Sequence, residues 1–109
     1  MPPEFSFIVF RCKDIEKTKR FYETLGLTFI KEKHGSGPEH YASQLASVTF
    51  ELYPATEKHP PTLLTTGFKV NDLETTIQEL QKQTEVGMKN NHAVANDPDG
   101  RLIHIERYE

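Results

Sequence analysis

Two side chains in this sequence form a combination that could move a proton or hold a metal ion. Glu51 lies in the stretch FELYP and His104 in the stretch IHIE, and apolar residues flank both. A carboxylate within hydrogen-bond reach of an imidazole can share a proton with it, and both groups are common ligands of divalent metals. Whether they do either depends on the elements that carry them.

Both stretches alternate between apolar and polar residues with a period of two, which indicates strands. In the last stretch Ile103 and Ile105 fall on one face, and His104 falls on the other. A histidine on the polar face of a strand is not forced to be a core residue. It can therefore be part of a site.

An internal repeat relates the two strands. Asp14-Ile15-Glu16 aligns with Asp72-Leu73-Glu74, and each copy runs from an apolar strand through a polar turn into an amphipathic helix. Glu51 and His104 occupy the same place in their two halves of the chain. We therefore expect the pair to lie on matching strands of two similar modules.

Helix signals follow each first strand. Asp14 is predicted to be the N-cap of the first helix and Gly26 its stop, and the second helix is predicted to start near Asn71, which with Glu74 resembles a capping box. Helical spacing gives each helix an inner face. The inner residues are Ile15, Thr18, Tyr22 and Leu25 in the first helix, and Leu73, Ile77 and Leu80 in the second.

Three strand-like runs follow each helix. They cover residues 27–33, 39–45 and 48–53 in the first half and 85–89, 92–95 and 101–108 in the second. NDPDG predicts a hairpin turn, and the prolines of PATEKHPPT predict a linker. The chain is thus predicted to be one α+β domain, 1–109, with module one at about 1–55, a linker at 54–62 and module two at about 63–109. Each module reads βαβββ, and together they form a cup-shaped mixed sheet with pseudo-twofold symmetry and helices on the outside.

Composition excludes several classes of function. The net charge is −3 and no run of Lys or Arg forms a stripe, which argues against a nucleic-acid partner. No apolar run is long enough to span a membrane, and the start of the chain lacks a signal peptide. The single cysteine, Cys12, excludes an intrachain disulfide and a thiolate metal cage, and is expected to be a buried apolar residue. The expectation is a cytoplasmic protein.

The double βαβββ plan resembles the vicinal oxygen chelate superfamily, also called the glyoxalase / bleomycin resistance / dioxygenase superfamily. The likeness rests on DIEKTKRFYETLGLTF, FELYP, GFKVNDLETTIQEL and NDPDGRLIHIERYE, and it covers essentially the whole chain. It implies a cup that holds a small molecule, and a homodimer in which the partner often completes the cup.

The resemblance also implies four positions at which metal-using members place their ligands. In this chain they are Phe7, Glu51, Thr65 and His104, so only Glu51 and His104 are metal-ligand candidates. The cofactor is therefore expected to be either absent or one divalent ion. Ring-cleaving dioxygenase activity is disfavoured, because it needs two histidines and one carboxylate.

Strand alternation predicts what else faces the cup. Candidate ligand-binding residues are Phe5, Phe7, Arg11, His40, Tyr53, Thr65, Lys69 and Tyr108. The opposite face is almost purely apolar and is expected to lie under the helices; it comprises Ile8, Phe10, Phe50, Leu52, Phe68, Val70, Ile103 and Ile105.

Three hypotheses for Glu51 and His104 remain open at this point. They could hold a divalent metal, with His34 or His40 completing a nonstandard ligand set. They could be the catalytic acid–base pair of a glyoxalase-like lyase or isomerase, with Arg11 or Lys69 stabilising an oxyanion. They could instead orient a small molecule in an aromatic groove without chemistry, or they could be only a solvent-exposed pair on an open sheet; the sequence favours these two interpretations taken together. The loop HGSGPEH could act as a lid, since Gly35 and Gly37 give it hinge freedom.

Overall fold

The computed structural model describes residues 1–108, and ten elements follow one another in the predicted order. Module one contains β1 (Phe7–Cys12), α1 (Ile15–Thr24), β2 (Ile30–Glu32), β3 (His40–Leu45) and β4 (Val48–Pro54). Module two contains β5 (Thr66–Val70), α2 (Leu73–Leu80), β6 (Val86–Lys89), β7 (His92–Asn96) and β8 (Leu102–Arg107). The predicted α+β fold of two βαβββ modules is confirmed.

The two modules build sheets of the same topology. Within residues 1–108 the strand order is β1-β4-β3-β2 in one four-stranded sheet and β5-β8-β7-β6 in the other. The first pair of each sheet is parallel, and the remaining pairs are antiparallel. Glu51 on β4 and His104 on β8 therefore lie on the second strand of their sheets, flanked on both sides.

Both helices begin at an aspartate. Asp14 accepts hydrogen bonds from the backbone N–H groups of Glu16 and Lys17, as predicted. The prediction of Asn71 as the second cap is wrong by one residue: Asp72 has the extended backbone of an N-cap and accepts from the Thr75 N–H and hydroxyl. The backbone hydrogen bond from Thr75 is the main reason why the pKa of Asp72 is lowered.

The first of the predicted strand runs is much shorter than expected. Residues 27–33 were predicted as a strand, and only Ile30–Glu32 pair with β3. Leu27 and Phe29 pack against the hydrophobic core instead, and Phe29 makes edge contacts with the Tyr41 ring. An apolar run of this length can pack against the core without forming hydrogen bonds to a neighbouring strand. Periodicity alone therefore overestimated the length of the strand.

Aromatic rings hold the two modules together. The Tyr22 ring on α1 is fully buried and contacts Phe10 and Phe50 of its own module at centroid distances of 6.1 and 5.2 Å. It also contacts Phe68 of module two at 5.7 Å. The apolar strand faces predicted to lie under the helices supply this core, and all eight of their residues are buried in it or packed against it.

A buried arginine directly after the NDPDG turn ties the modules together with polar contacts. Arg101 pairs with the buried carboxylate of Asp97 at 2.8 Å, and its Nε donates to the Thr62 carbonyl at 2.6 Å. Its guanidinium also donates to the Arg11 carbonyl, and the Tyr22 hydroxyl donates to Asp97 at 2.7 Å. The NDPDG turn is therefore more than a hairpin connection, because it positions an ion pair against module one.

The helices are short: within the described part of the chain, none is long and apolar enough to cross a membrane.

Candidate functional site

Glu51 lies in a row of side chains that crosses the first sheet. It pairs with Val9 on β1 and with Ala42 on β3, so these three side chains point to the same face. One step along, Arg11 pairs with Tyr53, and Glu32 pairs with His40. This face lies opposite the helix-covered side that holds Phe50 and Leu52, as the alternation predicted.

His40 is the most buried ionisable group on this face, with 1% of its surface exposed. Its Nδ1 lies 3.2 Å from the Pro38 carbonyl, and its ring stacks on Tyr53 with centroids 4.0 Å apart. The small Ala42 side chain lets Glu51 reach diagonally to His40, and Glu51 Oε1 lies 3.6 Å from His40 Nε2. Glu32 Oε1 lies 3.3 Å from the same nitrogen.

The stack continues to Arg11 on β1. The Arg11 guanidinium lies over the Tyr53 ring, 4.9 Å from its centroid. Burial and the nearby carboxylate of Glu51 raise the pKa of Tyr53, and Arg11 offsets part of that effect. The phenol therefore stays neutral at physiological pH and is available as a hydrogen-bond donor beside Glu51.

Module two carries a matching pair on the same face of its sheet. His104 pairs across the ladder with Val94, and His92 lies two residues before Val94. His92 Nε2 and His104 Nδ1 are 2.8 Å apart and form a hydrogen bond. The two modules thus repeat one pattern. The histidine that begins β3 (His40) contacts Glu51 diagonally, and the histidine that begins β7 (His92) contacts His104 in the same way.

The side chains of Glu51 and His104 do not contact each other within one chain. They belong to different sheets, and each contacts a histidine of its own module. Among residues 1–108, no hydrogen bond or ion pair joins the two. Each is half-buried on the face turned away from its helix.

Large apolar side chains are exposed on these same faces. Phe5 and Phe7 are 70% and 59% exposed, and Leu102 and Tyr108 are also exposed. Thr65 precedes β5 and is exposed, as is Lys69 on β5. Contiguous exposed apolar patches are typical of interaction surfaces, which makes these faces the candidate site of this chain.

Sequence reasoning missed two residues of this region, Glu32 and His92. Ligand atoms of Glu32, His34 and His40 all lie within 4.8 Å of one another, which is close enough to hold a metal ion. No local pattern of the sequence pairs Glu32 with His40; the register of β2 on β3 does. The signal for His92 was its equivalence to His40 in the repeat. His59 is exposed in the linker.

Comparison with known proteins agrees with the fold and its two-module plan. The family model of the Glyoxalase/Bleomycin resistance protein/Dioxygenase superfamily matches residues 4–105. No curated protein sequence matches significantly.

Solved structures of the same architecture cover nearly the whole chain. TnmS3, an antibiotic binding protein from Streptomyces sp. CB03234, superposes with a TM-score of 0.76 at 24% identity, covering 99% of this chain and 98% of that one. A glyoxalase/bleomycin resistance protein from the same organism gives 0.71 at 25% identity, covering 94% and 99%. The fosfomycin resistance protein FosX from Mesorhizobium loti gives 0.74 at 12% identity, covering 97% and 92%.

The family match over residues 4–105 extends from before β1 into β8 and so includes both modules. The chain belongs to the Glyoxalase/Bleomycin resistance protein/Dioxygenase superfamily.

Proposed function

We propose that this protein binds a small molecule with an aromatic or apolar body and a polar group, in a groove lined by the helix-free faces of its sheets. The observation that carries the proposal is the exposure of Phe5, Phe7 and Tyr108 on the faces that also hold Glu51 and His104. Apolar walls with a few placed polar groups are the usual chemistry of a small-molecule site.

A catalytic metal at the four positions implied by the family does not fit the donors of this chain. A catalytic centre needs about three protein ligands, and Phe7 offers no donor atom. Thr65 has only a hydroxyl, and it is exposed ahead of its strand. That leaves Glu51 and His104, so we derive no step through a metal at these positions.

The alternative, an acid–base lyase or isomerase that uses Glu51 and His104 together, has weaker support. General acid–base catalysis requires the two groups to reach the same substrate atoms. Each is engaged with a histidine of its own module, His40 or His92. Orienting a bound molecule makes no such demand on their mutual distance.

The proposal includes a homodimer in which two copies face each other across the groove. Phe5, Phe7 and Leu102 would lose their exposure to water in such an assembly, which is favourable in proportion to the apolar area covered. The groove would then be lined by module one of one copy and module two of the other.

The test is a fluorescence titration with a planar aromatic cation, thioflavin T, and an aromatic anion, 8-anilinonaphthalene-1-sulfonate, as probes. We expect saturable binding of the cation by chelator-treated protein, with a preference over the anion, since Glu51 and Glu32 lie in the groove wall and then hold no metal ion. Phe7→Ser is expected to weaken binding about tenfold, because it removes about 1–2 kcal/mol of apolar contact. Met88→Ser is the control, since Met88 is equally exposed but pairs with Ala93 on the helix-side face. Equal loss in both variants, or no saturable binding of either probe, would contradict the proposal.

A further inference from the structure

We propose that Glu32, His34 and His40 form a binding site for a zinc-class divalent cation, with the Glu51 carboxylate on its remaining side. The site lies at the outer edge of the first sheet, where β2 and β3 meet the loop 33–39. It is separate from the four family positions, with which it shares only Glu51. It does not depend on the proposed function.

The first argument is the unpartnered nitrogen of His40. Its Nδ1 faces the Pro38 carbonyl, which can only accept, so Nδ1 carries the proton in the neutral ring. Nε2 then presents its lone pair into the cluster, and this fully buried atom has no hydrogen-bond partner. A histidine that donates one N–H to a backbone carbonyl and points its other nitrogen at carboxylates has the arrangement of a metal ligand.

The second argument is the spacing of the ligand atoms. His40 Nε2 lies 3.3 Å from Glu32 Oε1 and 3.6 Å from Glu51 Oε1, and His34 Nε2 lies 3.5 Å from Glu32 Oε1. Ligands about 2.0–2.1 Å from a tetrahedral zinc ion are about 3.3 Å apart. A direct N–H···O hydrogen bond to a carboxylate would instead be about 2.7–2.9 Å long. The observed separations fit a shared cation better than direct hydrogen bonds.

The third argument is electrostatic. Two carboxylates converge on the lone pair of the buried His40 Nε2, and without a cation these groups repel one another. The Tyr53 ring on one side and the His34 ring on the other cover His40, with centroids at 4.0 and 5.1 Å. The His34 side chain is largely exposed and gives a path from solvent to the site.

The ligand types select the ion. Two imidazoles with carboxylates suit zinc and neighbouring first-row metals, whereas magnesium and calcium prefer all-oxygen sites. A bound ion would join β2, β3 and His34, and would thereby tie the loop 33–39 to the edge of the sheet. The loop would then hold one position at the rim of the groove.

The experiment is a zinc titration of the full chain after chelator treatment, in competition with a chromophoric chelator. We expect one zinc ion per chain, no displacement by millimolar magnesium, and tetrahedral cobalt absorption when cobalt replaces zinc. Glu32→Gln and His34→Ala are each expected to weaken zinc binding about tenfold or more. Both side chains are partly or largely exposed, so these variants retain the fold.

Matched controls come from the linker, where Glu57 and His59 are both exposed. Glu57→Gln and His59→Ala should leave the zinc affinity unchanged, and so should His104→Ala. The proposal is overturned if zinc does not bind, if magnesium displaces it, or if a control variant weakens binding as much as Glu32→Gln. Because the zinc variants and the thioflavin T variant Phe7→Ser alter different residues, failure of one proposal leaves the other measurable.

Discussion

Replacing Arg101 by methionine should be among the most destabilising single substitutions in this chain. The guanidinium is fully buried and bonds to the Asp97 carboxylate and to the carbonyls of Thr62 and Arg11, and it lies 4.6 Å over the Phe10 ring. Burial lowers the pKa of Arg101, and the hydrogen bond and charge of Asp97 outweigh that effect, so the net direction is upward. Arg101 therefore stays charged, and removing it leaves Asp97 as a buried, uncompensated anion.

Losing one partner of a buried ion pair costs about 3–5 kcal/mol, against a total stability of about 5–15 kcal/mol for a domain. We expect Arg101→Met to lower the free energy of unfolding by that amount and the melting temperature by on the order of 15 °C. Urea unfolding followed by circular dichroism measures the first, and calorimetry the second. A partial rescue by Asp97→Asn in the same chain would show that the stranded charge is the cause.

The matched control is Arg107→Met. Arg107 pairs with Glu74 at 2.7 Å, but both side chains are more than half exposed. Exposed pairs contribute about 0–1 kcal/mol, so this variant should unfold almost as the parent does. If Arg101→Met and Arg107→Met cost the same, or if Arg101→Met costs less than about 1 kcal/mol with an unchanged urea dependence, the assignment of a buried clamp is refuted.

Three further outcomes are expected. Asp72→Ala should lower the urea midpoint more than Asn71→Ala. Because the folded-state pKa of Asp72 is lowered, this difference should shrink as the pH falls below the ordinary aspartate pKa of 3.8. Equal effects of the two substitutions at neutral pH would contradict the assignment of Asp72 as the N-cap. Burial raises the pKa of the Cys12 thiol to about 11, so a thiol reagent at pH 8 should label the chain only after unfolding, and rapid labelling of folded protein would contradict the burial. Burial and then the Asp97 charge raise the pKa of Tyr22, so the contribution of Tyr22 to stability should be constant below the unfolded tyrosine pKa of about 10 and should fall above it. Tyr22→Phe should remove this part of the alkaline loss of stability, measured as the difference between variant and parent in urea unfolding at pH 9 and 11.

The sequence was sufficient for the fold because its local signals agree with one another. The strands alternate with a period of two, Asp14 caps the first helix, and Gly100 adopts the left-handed backbone conformation that its turn requires, with φ at 91°. One error lies where either of two neighbouring residues could be the helix N-cap, as with Asn71 and Asp72. The other lies where apolar residues pack against the core without pairing with a neighbouring strand, as at Leu27 and Phe29. Neither error moved a residue to the wrong face.

The site was less predictable, because it depends on cross-strand register rather than on local pattern. Glu51 and His104 follow from the repeat, since each lies on an equivalent strand. The neighbour of each is set by which residue lies diagonally opposite on the adjacent strand, and a shift of one residue would turn that neighbour to the other face. His40 and Glu32 could be paired only once the hairpin at 33–39 was known to place them opposite each other.

The histidine at the equivalent diagonal position contacts a different kind of group in each module. In module one, His40 meets the carboxylate of Glu51, and the pair attracts a cation. In module two, His92 and His104 face each other at 2.8 Å, which requires one nitrogen to donate and the other to accept. That hydrogen bond holds only one proton between the two facing nitrogens, so a second proton there would break it.

A groove that joins both faces would therefore be anionic along module one when no metal ion is bound there, and hydrogen-bonding along module two. In a homodimer, where each groove takes one module from each copy, every groove would have this same polarity. A ligand with a cationic group at one end and a hydrogen-bonding group at the other would fit it in a single orientation. A duplicated fold can in this way give a direction to its site, even though its backbone is nearly symmetric.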